Sequence, residues 1–325
     1  MTAHKPVLLK ETIDQLNLKK GDIVVDATLG GGGHSRGVLE RIGQDGTLIS
    51  IDLDEKALER FKFSISNFQF LNNFQFPNFK IQNAGNIYLV NGNFADLENI
   101  LEELKIEKVD AIVADLGWSS DQIENPEFGM SFQVEAELDM RYDRNQKLTA
   151  KKIVNEYSPK ELERIIEKYG EERFCRNIVK RIVEYRKNHT IETTTQLADI
   201  VKNAVPPDHR YGKISPATRT FQALRIEVNN ELSNLEKFVP QAIESLKTEG
   251  RLAIITFHSL EDRIVKNIFR ENARGCICPP DFPQCVCGKV PKIRLVNKKP
   301  IVPTPGEVVG NPRARSAKLR VCEKI

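Results

Sequence analysis

The sequence is poor in tryptophan, methionine and long apolar runs. It has one Trp and three Met in 325 residues, and only 7% of its residues are aromatic. Its longest apolar runs, such as residues 252–257, are far shorter than the ~20 residues that span a bilayer. Acidic residues Glu11 and Asp14 precede any long apolar region, which argues against a signal peptide. We therefore expect a cytoplasmic protein without a membrane partner.

Strong net charge is also absent from the chain as a whole, but not from its C-terminal end. The formal net charge is +3, whereas residues 289–325 contain ten Lys and Arg against Glu307 and Glu323. The rest of the chain is therefore net acidic. A basic end on an acidic body favours an anionic partner such as nucleic acid. A solvated tail that aids solubility is the alternative.

Short aliphatic runs alternate with segments of helical periodicity over most of the chain. Runs that are apolar throughout are typical of strands buried on both faces of a parallel sheet. The alternation predicts an α/β fold, doubly wound and Rossmann-like. The predicted strands cover residues 22–26, 47–52, 87–90, 109–115, 251–257 and 316–322.

Residues 125–214 have no convincing strand pattern. We expect them to form an all-helical insertion for substrate recognition, within a discontinuous domain made of residues 1–124 and 215–325. The periodicity predicts helices over residues 159–168, 171–187, 195–205 and 217–238.

A phenylalanine-rich stretch follows the second predicted strand. Seven of the 16 Phe lie between residues 61 and 79, mixed with Asn, Gln and Ser. An inserted segment that packs its aromatic rings locally is favoured over a base-stacking surface, because buried aromatic rings are the commoner case.

A run of four glycines, in DATLGGGGHS at residues 26–35, follows the first predicted strand and precedes a predicted helix. Glycines in this place let the backbone approach a ligand at a helix N-terminus. The spacing fits neither the dinucleotide fingerprint nor the phosphate loop, since Ser35 or Arg36 occupies the last glycine position of the former and Val38 follows Gly37 in the latter. The loop is of the nucleotide-binding type for another ligand.

Polar and aromatic residues follow the next three strands. Asp52 ends the second strand, about 20 residues after the glycines, where a carboxylate accepts hydrogen bonds from ribose hydroxyls, and Asp54 is placed to cap the next helix. Phe94 follows the third strand, where it suits an adenine slot, although core packing is the commoner role for such a residue. Asp115 closes the fourth strand, just before Trp118. A ligand with ribose and adenine but without phosphates, such as S-adenosylmethionine, suits this set.

Ten motifs then appear in order over residues 4–320: HKPVLL, GGGGHS, ISIDLDEKAL, DLGWSS, FGMSF, LDMRYD, YGEERF, ATRTFQALRIEVN, ITFHSLEDRIVK and NPRARSAKLR. On these motifs the chain resembles the bacterial 16S ribosomal RNA cytosine-N4 methyltransferase family. The chain departs from the family in its longer Phe/Asn-rich stretch and in carrying Trp118 where a small aliphatic residue is usual.

The resemblance implies a class I methyltransferase domain with an inserted helical domain. It implies methylation of one cytosine amine in the decoding region of 16S rRNA, with the small ribosomal subunit as partner. Matched by position, the cofactor contacts fall on Gly32, Gly33, His34, Asp52, Phe94, Asp115 and Gln122. The alternatives are a methyltransferase that acts on another nucleic acid and a non-catalytic RNA-binding ribosome factor. The oligomeric state stays open, with a homodimer as one alternative.

Three residues are the catalytic candidates. By analogy with amine methyltransferases that act on DNA bases, Asp115 or a nearby backbone carbonyl accepts a hydrogen bond from the target amine, and Trp118 stacks on the base. His258 lies at a strand end near the substrate; a structural role is the alternative for it. The following Ser259 begins a segment that reads as a helix cap.

Basic residues are expected to hold RNA phosphates. Those of the predicted insertion helix and of the basic tail are Arg173, Arg176, Lys180, Lys187, Arg313 and Arg315.

Four of the six cysteines lie within 12 residues. In a cytoplasmic chain this spacing favours a metal over disulfides, and tetrahedral zinc is chemically sensible. The pairs are C-x-C, whereas C-x-x-C is the commoner zinc spacing, so a structural zinc ion and a metal-free cluster both stay open. The candidate ligands are Cys276, Cys278, Cys285 and Cys287.

Overall fold

The computed structural model describes residues 5–65, 72–117, 126–210, 215–279, 284 and 286–325. The chain forms two compact units. The first consists of Met1–Gly117 and Leu232–Ile325, and the second of Trp118–Glu231. The first unit is therefore discontinuous in sequence.

A mixed β-sheet forms the centre of the first unit. Its strands are β1 (Ile23–Asp26), β2 (Thr47–Asp52), β3 (Asn72–Gln75), β4 (Lys80–Ala84), β5 (Ile87–Asn91), β6 (Val109–Asp115), β7 (Leu246–Thr256), β8 (Ile293–Leu295) and β9 (Lys318–Lys324). Within the described residues their order is β3-β4-β5-β2-β1-β6-β7-β9-β8. The five central strands pair in parallel, and the outer strands add antiparallel pairs.

The order reverses at β1, which lies between β2 and β6. In open α/β sheets ligands bind at such a switch point, outside the carboxyl ends of the strands. The strands predicted from sequence are confirmed, and so is the doubly wound class.

Helices of both units, in chain order, are α1 (Leu9–Leu16), α2 (Gly33–Ile42), α3 (Glu55–Ser64), α4 (Leu97–Glu103), α5 (Ala150–Glu156), α6 (Pro159–Gly170), α7 (Cys175–Arg186), α8 (Thr194–Ala204), α9 (Ala217–Asn229), α10 (Glu231–Ser245), α11 (Ser259–Ala273) and α12 (Pro305–Gly310). None in the described part of the chain is long and apolar enough to cross a membrane.

Two apolar layers cover the two faces of the sheet. Neighbouring residues of β1 point in opposite directions, so Val24 and Val25 belong to different clusters. Val24 packs in a cluster with side chains of α1, α2 and α3. Val25 packs in another with side chains of α4, α10 and α11. This arrangement explains why the central strands are aliphatic at successive positions.

The Phe-rich stretch contributes the antiparallel strands β3 and β4, which the sequence did not predict. Phe61 and Phe79 are buried, and the rings of Phe76 and Phe79 lie 5.0 Å apart. Phe63 and Phe74 are exposed. The local packing expected for this stretch thus holds for part of its rings, while residues 66–71 lie outside the described range.

The second unit is helical. Its described residues contain no strand, only an isolated bridge between Glu137 and Thr193. The predicted helices at residues 159–168 and 195–205 are confirmed within two residues, whereas α7 begins at Cys175, four residues later than predicted.

The predicted single helix over residues 217–238 is two helices. Asn230 adopts the left-handed conformation, with φ 51°, and ends α9 before α10 begins. The apolar face of α9 packs in the helical unit, where Gly170 permits close contact because a Cβ there would lie 2.8 Å from the Arg219 carbonyl oxygen. The sequence placed residues 215–231 in the sheet-bearing domain; the structure places them in the helical unit.

Candidate functional site

The loop after β1 begins the site. Gly30 and Gly32 have φ values of +50° and +71°, which L side chains rarely adopt. The Gly30 amide donates a hydrogen bond of 2.7 Å to Asp52 Oδ2, which ties the loop to the end of β2. The loop is therefore an ordered turn held against the neighbouring strand.

Packing favours glycine at two positions of the loop, and at one of them, Gly32, the backbone conformation does so too. A Cβ on Gly32 would lie 2.3 Å from Cδ2 of Phe61, and one on Gly33 would lie 2.7 Å from Pro6. Sequence reasoning assigned these glycines to close approach of a ligand. The structure shows that the protein itself occupies the space beside them.

Asp52 lies at the carboxyl end of β2 and is partly exposed. Its two oxygens accept hydrogen bonds from the backbone N–H groups of Gly30 and Asp54, at 2.7 and 2.8 Å. Burial raises the pKa of Asp52 to about 6. Because each carboxylate oxygen has two lone pairs, Asp52 keeps acceptor capacity for hydroxyl groups. Asp54 caps α3 as predicted, accepting a hydrogen bond from the Lys56 amide.

Asp115 ends β6 and lies beside His34 of α2. The distance between Asp115 Oδ2 and His34 Nδ1 is 3.6 Å. The Asp115 amide donates to the Thr28 hydroxyl at 2.6 Å, which joins β6 to the glycine loop. Asp115 Oδ1 and His34 Nε2 are buried and have no hydrogen-bond partner among the described residues. Such atoms are rare in folded proteins and indicate a place for a further polar group.

Burial sets the protonation of this pair. It raises the pKa of Asp115 to about 7, and the negative charge of Glu261 acts in the same direction. Burial lowers the pKa of His34, although the nearby Asp26 carboxylate acts against this. His34 is therefore neutral at pH 7, and Asp115 has no positively charged partner there.

Asp26 is a buried carboxyl group that sequence reasoning did not single out. It accepts hydrogen bonds from the Ser35 hydroxyl at 2.7 Å and the Thr28 amide at 3.2 Å. Burial raises its pKa, with His34 and Ser35 acting against the rise. Its position in the sequence could have indicated this role. An acidic residue that ends a buried strand directly before the glycine run is placed to hydrogen-bond that loop.

Phe94 lies after the end of β5, the strand next to β2. It is partly buried, and its ring meets that of Phe238 edge to face at 5.1 Å. The side-chain amide of Asn91 donates hydrogen bonds from Nδ2 to the carbonyl oxygens of Asp52 and Leu53, which holds the two strand ends together. Phe94 thus packs partly into the core, and it follows the end of β5, as predicted.

His258 is the N-cap of α11. Its Nδ1 accepts from the Glu261 amide at 3.4 Å, and its Nε2 lies 3.1 Å from Glu261 Oε1. The predicted cap at Ser259 is one residue too late, because His258 and Glu261 form the capping box. A catalytic role for His258 stays a prediction.

The structure brings together the glycine loop, His34, Asp52 and Asp115, and places Phe94 at the adjacent strand end. Trp118 and Gln122 lie outside the described residues. Among the cysteine candidates, the sulfur atoms of Cys276, Cys278 and Cys287 lie within 4.8 Å of one another, away from the glycine loop in sequence, and Cys285 lies outside the described residues.

The predicted RNA-binding residues are exposed, and side-chain partners are described for Arg173 and Arg176. Arg176 forms an ion pair with Glu163 at 2.8 Å, and Arg173, which precedes α7, contacts the His209 ring. Arg313 and Arg315 are exposed in a short 3₁₀ segment, Pro312–Ser316.

The sheet order, the glycine loop and the acidic strand ends define a Rossmann-like methyltransferase. The chain belongs to the MraW methylase family, whose model matches residues 1–325. This membership agrees with the resemblance drawn from the ten motifs.

Relatives with known names are similar over nearly their whole length. A protein of Acetivibrio thermocellus is 50% identical over 322 residues, which cover 99% of each chain. One of Halothermothrix orenii is 46% identical over 325 residues, which cover 100% of this chain and 99% of that protein. Both are named ribosomal RNA small subunit methyltransferase H. A solved rRNA methylase from Streptococcus thermophilus covers 97% of this chain and 93% of its own at 10% identity, with a TM-score of 0.40, too low to carry an argument.

Proposed function

We propose that this chain transfers a methyl group from S-adenosylmethionine to the exocyclic N4 of one cytosine in the decoding region of 16S rRNA. The observation that carries the proposal is Asp115 Oδ1, which is buried at the strand end beside the glycine loop and has no hydrogen-bond partner among the residues that the structure describes. Membership of the MraW methylase family and the names of the relatives support the substrate class.

The residues present fit S-adenosylmethionine. Asp26, Asp52 and Asp115 surround the loop, and this acidic character opposes phosphate groups but suits a ligand with a positively charged sulfonium. Asp52 is placed to accept hydrogen bonds from ribose hydroxyls, and Phe94 to flank the adenine. When bound, S-adenosylmethionine supplies an electrophilic methyl group.

Asp115 is the proposed acceptor for the target amine. The lone pair of a cytosine amine is delocalised into the ring, so a hydrogen-bond acceptor on its N–H groups makes the nitrogen a better nucleophile. With its pKa raised to about 7, the Asp115 carboxylate is a stronger base than an exposed one, and is matched to take the proton that N4 loses near neutral pH. His34 is neutral beside it and does not weaken this basicity.

The base must leave its stack to reach a buried carboxylate, as happens in other enzymes that act on bases. Stacking on Trp118 belongs to this proposal and would be worth ~1–3 kcal/mol per base. Gln122 is proposed as a further cofactor contact, and His258 as a residue near the base.

The deciding experiment uses small ribosomal subunits from cells that lack this protein. Purified protein and labelled S-adenosylmethionine are expected to place one methyl group on N4 of a single cytosine, mapped by mass spectrometry of 16S rRNA fragments. Large subunits and duplex DNA serve as controls. Incorporation into DNA alone would move the function to another nucleic acid. Loss of both methylation and S-adenosylmethionine binding would favour a non-catalytic RNA-binding factor.

The partner in this proposal is the small ribosomal subunit, and the compartment is the cytoplasm. Sedimentation of the purified protein decides between a monomer and a homodimer. A structural zinc ion at the cysteine cluster has no part in methyl transfer.

A further inference from the structure

The segment between α11 and β8 forms a loop whose two ends are held together. The Lys292 amide donates to the Asn272 carbonyl oxygen at 2.8 Å, and Lys289 pairs with Glu271. These contacts close the base of the segment, so Cys276 and Cys278 come from one side of the loop and Cys287 from the other.

Three sulfur atoms meet inside this loop. Those of Cys276, Cys278 and Cys287 all lie within 4.8 Å of one another, and those of Cys276 and Cys287 lie 3.8 Å apart. A disulfide needs a separation of about 2.05 Å. Two thiolates on one tetrahedral zinc ion, each at about 2.3 Å from the metal, lie roughly 3.8 Å apart. The Cys276–Cys287 separation thus equals that of two ligands on a single ion, and the third sulfur lies within 4.8 Å of both.

Backbone amides point at two of the sulfur atoms. The Ile277 amide donates to Cys287 Sγ at 3.4 Å, and the Val286 amide donates to Cys278 Sγ at 3.3 Å. Each bond runs from one side of the loop to a sulfur of the other. Such donors stabilise the negative charge that thiolates keep when they bind a divalent metal.

In the described residues of this loop, apolar side chains are exposed and do not form a core. Ile277, Val286 and Val290 are exposed, by 48%, 73% and 74%. A loop without a core of its own commonly gains its fold from metal binding. Thiolates select zinc or iron–sulfur clusters. Clusters spread their thiolates over separate irons, whereas these three sulfurs lie within 4.8 Å of one another.

We infer that Cys276, Cys278 and Cys287 bind one Zn²⁺ ion that folds the loop between α11 and β8. This site goes beyond the methyl transfer proposed above and does not depend on it. The sequence supplies a further thiol at Cys285, which lies outside the described residues.

Metal analysis tests the inference directly. Full-length protein, purified under reducing conditions and separated from free metal, is expected to contain about one zinc ion per chain by plasma mass spectrometry. Cys276→Ser and Cys287→Ser are expected to lower that content more than tenfold. Cys175→Ala is the matched control, because Cys175 is a buried free cysteine in the helical unit, and its zinc content should equal that of the native chain.

Two further measurements keep the result clear if a variant folds poorly. Cobalt exchanged into the native chain is expected to give the thiolate charge-transfer bands of a tetrahedral site. Removal of zinc by a chelator is expected to speed hydrogen exchange in residues 274–292 while S-adenosylmethionine binding is unchanged. Native protein with less than a tenth of an ion per chain would overturn the inference. So would iron in place of zinc, or a native mass two daltons lower per disulfide.

Discussion

Asp115 Oδ2 lies 3.6 Å from Nδ1 of His34 beside the glycine loop, with the imidazole buried and the carboxylate 14% exposed. Burial acts oppositely on the two groups, raising the pKa of the carboxyl and lowering that of the imidazole. His34 is thus neutral and Asp115 about half ionised at pH 7, although an aspartate and a histidine at this distance in water would form an ion pair. The surrounding protein therefore keeps Asp115 basic.

Asp115→Asn tests the role of that carboxylate. The amide has almost the same shape but cannot accept a proton, so we expect turnover to fall by about 10²–10⁴-fold. S-adenosylmethionine affinity, measured by calorimetry, separates catalysis from binding. Lost affinity with normal turnover at saturation would contradict the catalytic role.

The pH profile provides a second test. If ionised Asp115 is required, kcat/KM should rise with pH through about 7, where the raised pKa of the free enzyme lies. The measurement is methylation of small subunits between about pH 5.5 and pH 8.5, in buffers of constant ionic strength. A flat profile over this range would count against Asp115 as the titrating group.

Stability should show the cost of the buried carboxyl group. The folded-state pKa of Asp115 is raised above its unfolded value of 3.8, so the folded state binds the proton more tightly than the unfolded state does. Proton binding therefore stabilises the folded state at low pH, and this stabilisation is lost as pH rises from about 4 to about 7. Asp115→Asn should therefore raise Tm relative to the native chain, and the difference should grow between pH 5 and pH 8.

Asp139 serves as a control of opposite sign. Although burial acts to raise its pKa, hydrogen bonds and charges from Arg141 and Arg144 lower the pKa overall. Its stabilisation is present above the unfolded pKa and lost in acid, so Asp139→Asn should lower Tm at pH 7. Equal Tm shifts for both variants at every pH would contradict the assignment.

The two left-handed glycines should differ in their tolerance of alanine. Gly30→Ala should cost about 1–2 kcal/mol of backbone strain because of its left-handed conformation. No steric overlap adds to this cost, because the nearest atom beyond its chain neighbours would lie 4.0 Å from the new Cβ. Gly32→Ala adds overlap with the buried Phe61 ring, which should cost about 1–3 kcal/mol more. Urea denaturation measures the difference, and equal losses for the two variants would show that packing against Phe61 is unimportant.

Exposed lysines of the helical unit should contribute to RNA binding through phosphates. Replacing Lys180 and Lys187 by Gln is expected to weaken binding to small subunits and to flatten the plot of log affinity against log salt by about 0.7 per lost contact. The double replacement of Lys19 and Lys20, exposed in the sheet-bearing unit, makes the same change in charge. An equal effect of both pairs would indicate unspecific charge attraction.

The central strands could be predicted because their burial is visible in local sequence. The strand at residues 109–115 contains the aliphatic run 111–114, which Asp115 closes, and such a run is typical of a strand buried on both faces. The cap at Asp54 was predicted for the same reason, since the side chain bonds an amide only two residues away. Family membership followed from ordered motifs and is confirmed over the whole chain.

Short outer strands could not be predicted in this way. β3, β4 and β8 have mixed polar sequences and form by pairing with a neighbour across the sheet. The break at Asn230 was missed because helical periodicity continues on both sides of it. Likewise, the packing of Gly32 against Phe61 joins residues 29 positions apart, which no local pattern records.

The amino-acid sequence by itself determined the sheet, the glycine loop and the acidic residues at the strand ends, because periodicity and turn chemistry act between near neighbours. Only the tertiary structure decided what those residues are chemically. Burial made Asp115 a base near pH 7 and kept His34 neutral, and loop closure brought three thiols to the spacing of one metal ion. Those properties depend on desolvation and on distances between residues far apart in sequence.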